Sequence, residues 1–483
     1  MPKNRRIVTS PKKLYSTTDY SRYYGTEKLP SANYLTPSQE DLSRVIHSSF
    51  FRRLQGKSQL FPAGESDFFR NRLTHSLEVA SISKAIAIRL NTKGAFGDEN
   101  HIDLNVIELA GLCHDAGHPP FGHRGEQTLF DIMKNEGGFE ANAQTVHLLS
   151  KGEKLIKSGN EFFGVGKKSG DKRYGLNLTA RSLASLIKYD NVINHESEEF
   201  AKGYYHAEKK LVDWIKTKVA HQHLSGKFKT IECSIMDIAD DIAYSTFDLL
   251  DALHAKFIRV TDLFSGGAII NRVATKVSQS LKQNGFTDNK VTGKRALGAM
   301  VNLFLDLGLM TVNKPFGTDF SDPGTYEPLR KFLRAADRLA ENGYKRSALA
   351  RALVHRFIDG IEVEINDECL PLSRTVLKPA IAIEVECLKQ FVYETLTSRS
   401  RVQVAEYRAD LIIHTIFGAL QSDNNANKLL PDDFVQVYKK CGSDSALKKR
   451  ILCDFIAGMT DRYALEFYGR LTSQDPETIF KPI

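Results

Sequence analysis

The sequence predicts an all-α protein, and three observations predict it. Apolar residues recur at helical spacing over most of the chain, as in residues 75–90, 104–117 and 231–257. Strand-like alternation is nearly confined to Ile361-Glu-Val-Glu-Ile365, one candidate strand. Helix starts carry capping signals, as where Thr36 precedes Pro37-Ser-Gln-Glu-Asp-Leu42.

Taken in order, residues 1–35 are polar and without sustained period, and read as a basic arm with Lys3, Arg5, Arg6, Lys12 and Lys13. A helical core then extends over 36–260, with further helical periods at 177–189 and 204–222. A stretch rich in Gly, Lys and Ser, Gly164-Val-Gly-Lys-Lys-Ser-Gly-Asp-Lys-Arg173, marks an insertion loop over about 160–176. Residues 261–483 form a C-terminal helical region expected to pack on that core. Its periods fall at 328–340, 345–361, 376–397, 403–420 and 443–467, after a Pro- and Gly-containing break at 311–327. No internal repeat interrupts this order.

Bulk composition excludes several classes. No apolar run approaches the roughly 18 residues that span a bilayer, so no membrane association is expected. Met1-Pro-Lys-Asn-Arg-Arg6 has charge but no apolar stretch behind it, so it does not read as a secretory signal. The six cysteines are scattered without a CxxC pair, which reads as reduced thiols and a cytoplasmic setting. A net charge of +8 invites an anionic partner, either a polyanionic small substrate or nucleic acid.

Three clusters carry chemistry. In Arg72-Leu-Thr-His75-Ser, His75 shares a helix face with Val79, Ile82 and Ile86. An inward histidine is by itself more often a satisfied core residue than a ligand. The second cluster is denser: Leu109-Ala-Gly-Leu-Cys-His114-Asp115-Ala-Gly-His118-Pro-Pro-Phe-Gly-His123-Arg-Gly-Glu126. An apolar helix delivers a His-Asp pair at its end, and His118 lies one turn beyond His114. Three histidines and two acids beside an apolar helix are costly to place without a task. Mixed imidazole and carboxylate donors suit Mn, Mg, Fe or Co in an open site. The third cluster sets Asp237, Asp240, Tyr244, Asp248 and Asp251 on one side of a helix, opposite an apolar stripe. A solvated acidic face explains it as well as a site does, and a carboxylate there can complete a metal site begun by His75, His114 and Asp115.

The order His … His-Asp … Asp resembles the HD-domain metallophosphohydrolases. Phe51-Arg-Arg-Leu54, Arg72-Leu-Thr-His-Ser-Leu-Glu-Val79, the 114–126 string, Phe139-Glu-Ala-Asn-Ala-Gln144 and Ala239-Asp-Asp-Ile-Ala-Tyr-Ser245 are similar to the dGTP triphosphohydrolase branch, bacterial relatives of the animal enzyme SAMHD. Cys453-Asp-Phe-Ile-Ala-Gly-Met-Thr-Asp-Arg-Tyr-Ala464 resembles that branch's C-terminal helical region, so the likeness extends over about 36–470.

The resemblance implies an HD-domain helical bundle that hydrolyses a deoxynucleoside triphosphate, dGTP first, to the deoxynucleoside and inorganic triphosphate. It assigns His75, His114, Asp115 and Asp240 to one divalent ion. Mn or Mg leads, with Fe, Co, Ni and Zn as alternatives, and a second Mg accompanies the triphosphate. Asp240 is chosen over its neighbour because the family has a tyrosine four residues after the ligand, here Tyr244. His123 and Glu126 match the catalytic His-Glu pair. His118 and Arg72 match phosphate contacts, Asn142 and Gln144 line the same pocket, Gln59 and Leu60 match positions that sense the sugar, and Asp248 matches a group at the 3′-hydroxyl. The animal enzyme has a His-Glu-Gln string in the region of Asn142-Ala-Gln144, so Asn142 stands where a histidine does there. The family further implies a homo-oligomer, hexamers included, and a dNTP or single-stranded DNA effector.

The competing readings are an HD phosphohydrolase of other nucleotide specificity and a nucleic-acid-binding regulator that keeps the scaffold. His355, in Leu353-Val-His-Arg356, reads as a surface or core residue before a substrate or effector contact. Asp461 and Arg462 read as a structural ion pair at a subunit contact.

Overall fold

The structure, a computed structural model, describes residues 13–25, 34–60, 69–154, 165–166, 170–171, 173–193, 200–220, 227–259, 262, 267–287, 290–306, 341–397, 400–422 and 425–472. The basic positions Lys3, Arg5, Arg6 and Lys12, the break at 311–327 and the helical period at 328–340 lie outside the described residues.

Helices make up most of what is described. They begin with α1 (Pro37–Ile46), α2 (Ser49–Arg53), α3 (Arg72–Thr92), α4 (Leu104–Cys113), α5 (Gly122–Met133) and α6 (Ala141–His147). Next come α7 (Ala180–Ala184), α8 (Lys209–Ala220), α9 (Ile231–Ala243), α10 (Leu249–His254), α11 (Gly267–Gln283) and α12 (Gly293–Asp306). The remainder are α13 (Gly343–Asp359), α14 (Pro379–Thr397), α15 (Ser400–Gln421), α16 (Ala426–Leu429), α17 (Asp432–Lys440), α18 (Ser445–Ala457) and α19 (Asp461–Thr472). Thr36 caps α1 as its sequence predicts, accepting the Gln39 N–H while Gln39 reaches back. The insertion contains a short antiparallel pair, β1 (Val165–Gly166) with β2 (Gly170–Asp171). The candidate strand is β3 (Ile361–Glu364).

Two compact units divide the chain. The first comprises residues 1–237, 363–374 and 406–483, and the second 238–362 and 375–405. The division falls inside α9, between Asp237 and Ile238.

In the first unit, α3 and α4 pack along each other. Gly111 permits that approach, since a Cβ there would lie 2.4 Å from the Ala80 Cα. A second core gathers Leu129, Phe130 and Met133 of α5, Ile412, Ile413 and Ile416 of α15, and Leu452, Phe455 and Ile456 of α18. Each such side chain contributes roughly 1.5–3 kcal/mol when fully buried, so α5 is fixed along one face. The lead-in is anchored too: Leu14 is buried, and Arg181 of α7 pairs with Asp19 at 3.1 Å and Glu232 at 2.9 Å. In the second unit, α14 packs against α11 and α12, and Lys389 binds Asp241 at 2.6 Å. The chain after α9 is not one straight helix: a π-helical turn, Tyr244–Asp248, precedes α10. Its wider turn shifts every later side chain off the 3.6-residue phase.

Candidate active site

Two helix starts and one helix end build the centre of the first unit. Asn71 caps α3 by accepting the Thr74 N–H at 3.0 Å, which fixes the turn carrying His75. His75 is fully buried on the face it shares with Val79, Ile82 and Ile86. His114 follows the last residue of α4. The α3–α4 crossing brings the two imidazoles to a centroid separation of 5.3 Å, each offering a ring nitrogen within 4.8 Å of the other's.

The tautomer of His114 follows from its surroundings. Its Nδ1 lies 2.7 Å from the Gly111 carbonyl, which can only accept, so Nδ1 carries the proton and Nε2 the lone pair. Nε2 faces Asp115 Oδ1 at 3.5 Å, and His118 Nδ1 reaches the same oxygen at 3.1 Å. Asp115 Oδ2 takes the guanidinium of Arg72, itself 1% exposed. Burial opposes charge on Asp115, yet His118, His114 and Arg72 outweigh it and hold the carboxyl well below the usual range. Two buried imidazoles and an ionised carboxylate form a donor set that fits a divalent cation, and a carbonyl behind the ligand is the usual device for aiming its lone pair. Arg72, expected against phosphate, is placed against Asp115.

Between Asp115 and α5 the chain makes a tight turn. Phe121 precedes α5 in the left-handed region at φ 64°. Gly125 lets the helix fold back over this turn, because a Cβ there would lie 2.0 Å from the Pro120 carbonyl oxygen. The first turns of α5 carry His123, largely exposed, and Glu126, buried, with His123 Nδ1 3.4 Å from Glu126 Oε2. Glu126 Oε1 accepts the Ala141 N–H at 2.8 Å. Burial works against its charge, but the His123 hydrogen bond, the His118 charge and that N–H hold Glu126 down at about 2. His118, His123 and Glu126 thus offer ligand or proton-transfer atoms within 4.8 Å of one another.

Helix α6 places Asn142 and Gln144 beside this region, and both are engaged within the protein. Asn142 donates to Glu140 Oε1 at 2.6 Å. Gln144 is 2% exposed; its amide donates to Asp454 at 3.0 Å, and its carbonyl accepts from Tyr205 at 3.0 Å. His147, one turn on, lies 3.0 Å from both Glu208 and Asp454. The sequence singles out none of His147, Glu208 and Asp454 as a site residue. One signal for them was legible: Asp454 is the lone acid in the apolar run Ile451-Leu-Cys-Asp-Phe-Ile-Ala457.

The other expected residues are carried by different elements. Gln59 and Leu60 lie half-buried at the end of a described segment. Asp240, on α9, belongs to the second unit with Tyr244 and the buried Asp248, which bound the π-helical turn. Asp237 pairs with Lys188 at 2.6 Å and with Lys229, a structural role. His355 is exposed on α13. Within the chain Arg462 binds Glu466 at 2.9 Å, and Asp461 turns inward to the Ser58 and Phe121 amides. Two adjacent helix positions point about 100° apart, which explains the separation.

The HD domain matches residues 72–245, and a phosphohydrolase-associated domain matches residues 375–470. Together with the buried His-His-Asp centre, this defines an HD-type phosphohydrolase, an enzyme. A deoxyguanosinetriphosphate triphosphohydrolase-like protein 2 from Mesorhizobium japonicum is 40% identical over 466 residues, covering 92% of this chain and 94% of that one. A deoxyguanosinetriphosphate triphosphohydrolase-like protein from Shewanella loihica is 28% identical, covering 94% of this chain and 96% of its own. The chain belongs to this deoxyguanosinetriphosphate triphosphohydrolase-like family. Among the described residues, no helix is long and apolar enough to cross a membrane.

Proposed function

We propose that the chain hydrolyses a deoxynucleoside triphosphate, dGTP foremost, to the deoxynucleoside and intact inorganic triphosphate. The observation that carries this reading is the buried His75–His114 pair with the Asp115 carboxylate, one turn of chain away from the His123–Glu126 pair. His75, His114, Asp115 and Asp240 are the proposed ligands of one divalent ion, Mn or Mg. Asp240 is preferred over Asp241 because the family has a tyrosine four residues after the ligand, here Tyr244. When bound, such an ion neutralises charge on the α-phosphate and lowers the pKa of a water.

The protein's own groups do the rest. Arg72 and the Gly111 carbonyl hold Asp115 and His114 in place before substrate arrives. The reaction breaks the bond between the α-phosphorus and the 5′-oxygen while a bond from water forms. The 5′-oxygen leaves well only if it gains a proton, and His123 supplies it from Nε2, because Nδ1 faces Glu126. The Glu126 carboxylate faces His123 Nδ1 and so fixes which nitrogen is turned to the leaving oxygen. Arg72, His118, Gln59, Leu60, Asn142, Gln144, Tyr244 and Asp248 complete the proposed substrate set. Homo-oligomeric assembly, an effector site for dNTP or single-stranded DNA, and a cytoplasmic setting belong to the same proposal.

The test is incubation with each dNTP and Mn or Mg, with both products identified. Deoxynucleoside plus triphosphate is expected. Release of orthophosphate or diphosphate overturns the reading.

A further inference from the structure

Asp461 opens α19, yet its carboxylate does not serve that helix. Thr460 is the cap: its hydroxyl accepts the Tyr463 N–H at 3.1 Å, and its carbonyl accepts the Ala464 N–H at 3.0 Å. Asp461, 8% exposed, instead joins two distant segments. Its Oδ2 accepts the Ser58 N–H at 2.9 Å and also the Ser58 hydroxyl. Its Oδ1 accepts the Phe121 N–H at 2.9 Å.

The turn it grips has few other handholds. Pro119 and Pro120 have no N–H, so the Phe121 amide is the first after His118 that any acceptor can hold. Phe121 sits at φ 64°, a left-handed conformation that non-glycine residues rarely adopt, and Gly122 follows at φ 61°. A turn held in that region needs outside contacts to keep it there. Lys57 supplies a second hold, donating its buried Nζ to the carbonyls of His118 and Ala457, the latter at 2.8 Å. The close packing of the joint shows at Gly56, where a Cβ would lie 2.7 Å from Thr460 Cγ2.

We propose that Asp461 is a positioning residue for the reaction: by clamping Phe121 to Ser58 it sets where the 118–123 turn presents His118 and His123. This rests on the function proposed above. It assigns the phosphohydrolase-associated region, which contains Asp461, a direct part in aligning the His123 proton donor.

Asp461→Asn keeps the shape and removes the charge and one acceptor. Its kcat for triphosphate release from dGTP is expected to fall about 10- to 100-fold, the scale of a small misplacement of a reacting group, with KM and bound metal within about threefold. Amide exchange in a peptide spanning 116–124 should quicken while exchange along α3 stays unchanged. Thr460→Val, which removes the capping hydroxyl and keeps the methyl against Gly56, should lower Tm and keep kcat. A wild-type kcat in Asp461→Asn overturns the proposal, as does a kcat loss that merely follows lost metal. If that variant does not fold, Ser58→Ala deletes one contact to the same carboxylate. It should lower kcat about threefold and quicken the same exchange; no change in either overturns the proposal. A wild-type protein that releases no triphosphate from any dNTP overturns the reaction itself, while the exchange data still report whether Asp461 holds the turn.

Discussion

The His147 imidazole and the Asp454 carboxylate meet at 3.0 Å in a buried site, although they lie 307 residues apart in the chain. Glu208 takes the other ring nitrogen at 3.0 Å. Burial lowers the affinity of His147 for a proton, but Asp454 and Glu208 outweigh it and raise its pKa from 6.5 to about 9. The folded state thus binds this proton more tightly than the unfolded chain. The resulting stability is fully present below about pH 6.5 and is lost as pH rises through 9. The contribution is about 3 kcal/mol. Urea unfolding at pH 6 and pH 9 should show this decline, and His147→Gln should flatten it while destabilising the protein at pH 6. A wild-type curve that is level across this interval contradicts the buried imidazolium.

His114→Ala removes a nitrogen whose lone pair is already aimed by the Gly111 carbonyl. Bound divalent metal, measured by elemental analysis, and turnover should disappear together, the latter by more than about a thousandfold. Wild-type protein with full turnover in excess chelator would remove the basis for this expectation.

His123→Ala should lower kcat by about 10²–10⁴ and leave KM and bound metal little changed, because His123 serves the leaving oxygen rather than the ion. Glu126 is held at about 2, so it stays ionised across the working pH range. Glu126→Gln should therefore reduce kcat at every pH between 5 and 9 without adding a new acid limb. A rate profile that gains such a limb assigns the carboxylate a different part.

Gly125→Ala would drive a methyl group into the Pro120 carbonyl. The turn must shift, at a cost of roughly 1–3 kcal/mol in stability. The His75–His114 pair lies on other helices, so metal content should survive while kcat drops. Calorimetry and metal analysis on the same preparation separate the two effects.

Much of the site was legible because its signals are local. The helical class follows from apolar period, and the His114-Asp115 pair announces itself through the price of setting five titratable groups beside an apolar helix. Family likeness then ranked the remaining candidates. The engagement of Gln144 was not legible: nothing near it in the chain reveals that Tyr205 and Asp454 occupy both ends of its amide. The π-helical turn at Tyr244–Asp248 was equally hidden, because Tyr-Ser-Thr-Phe-Asp fits an unbroken helix as well.

By itself, the order of residues determined the all-α class and the capped start of α1 and singled out the His-Asp pair as a candidate centre, since each depends on spacings of a few positions along the chain. Only the tertiary structure decided that Arg72 turns to Asp115, that His147 sits between two carboxylates, and that Asp461 reaches Ser58 across 403 residues. A buried polar group must find a partner, but which one it finds is settled by how the helices pack around it.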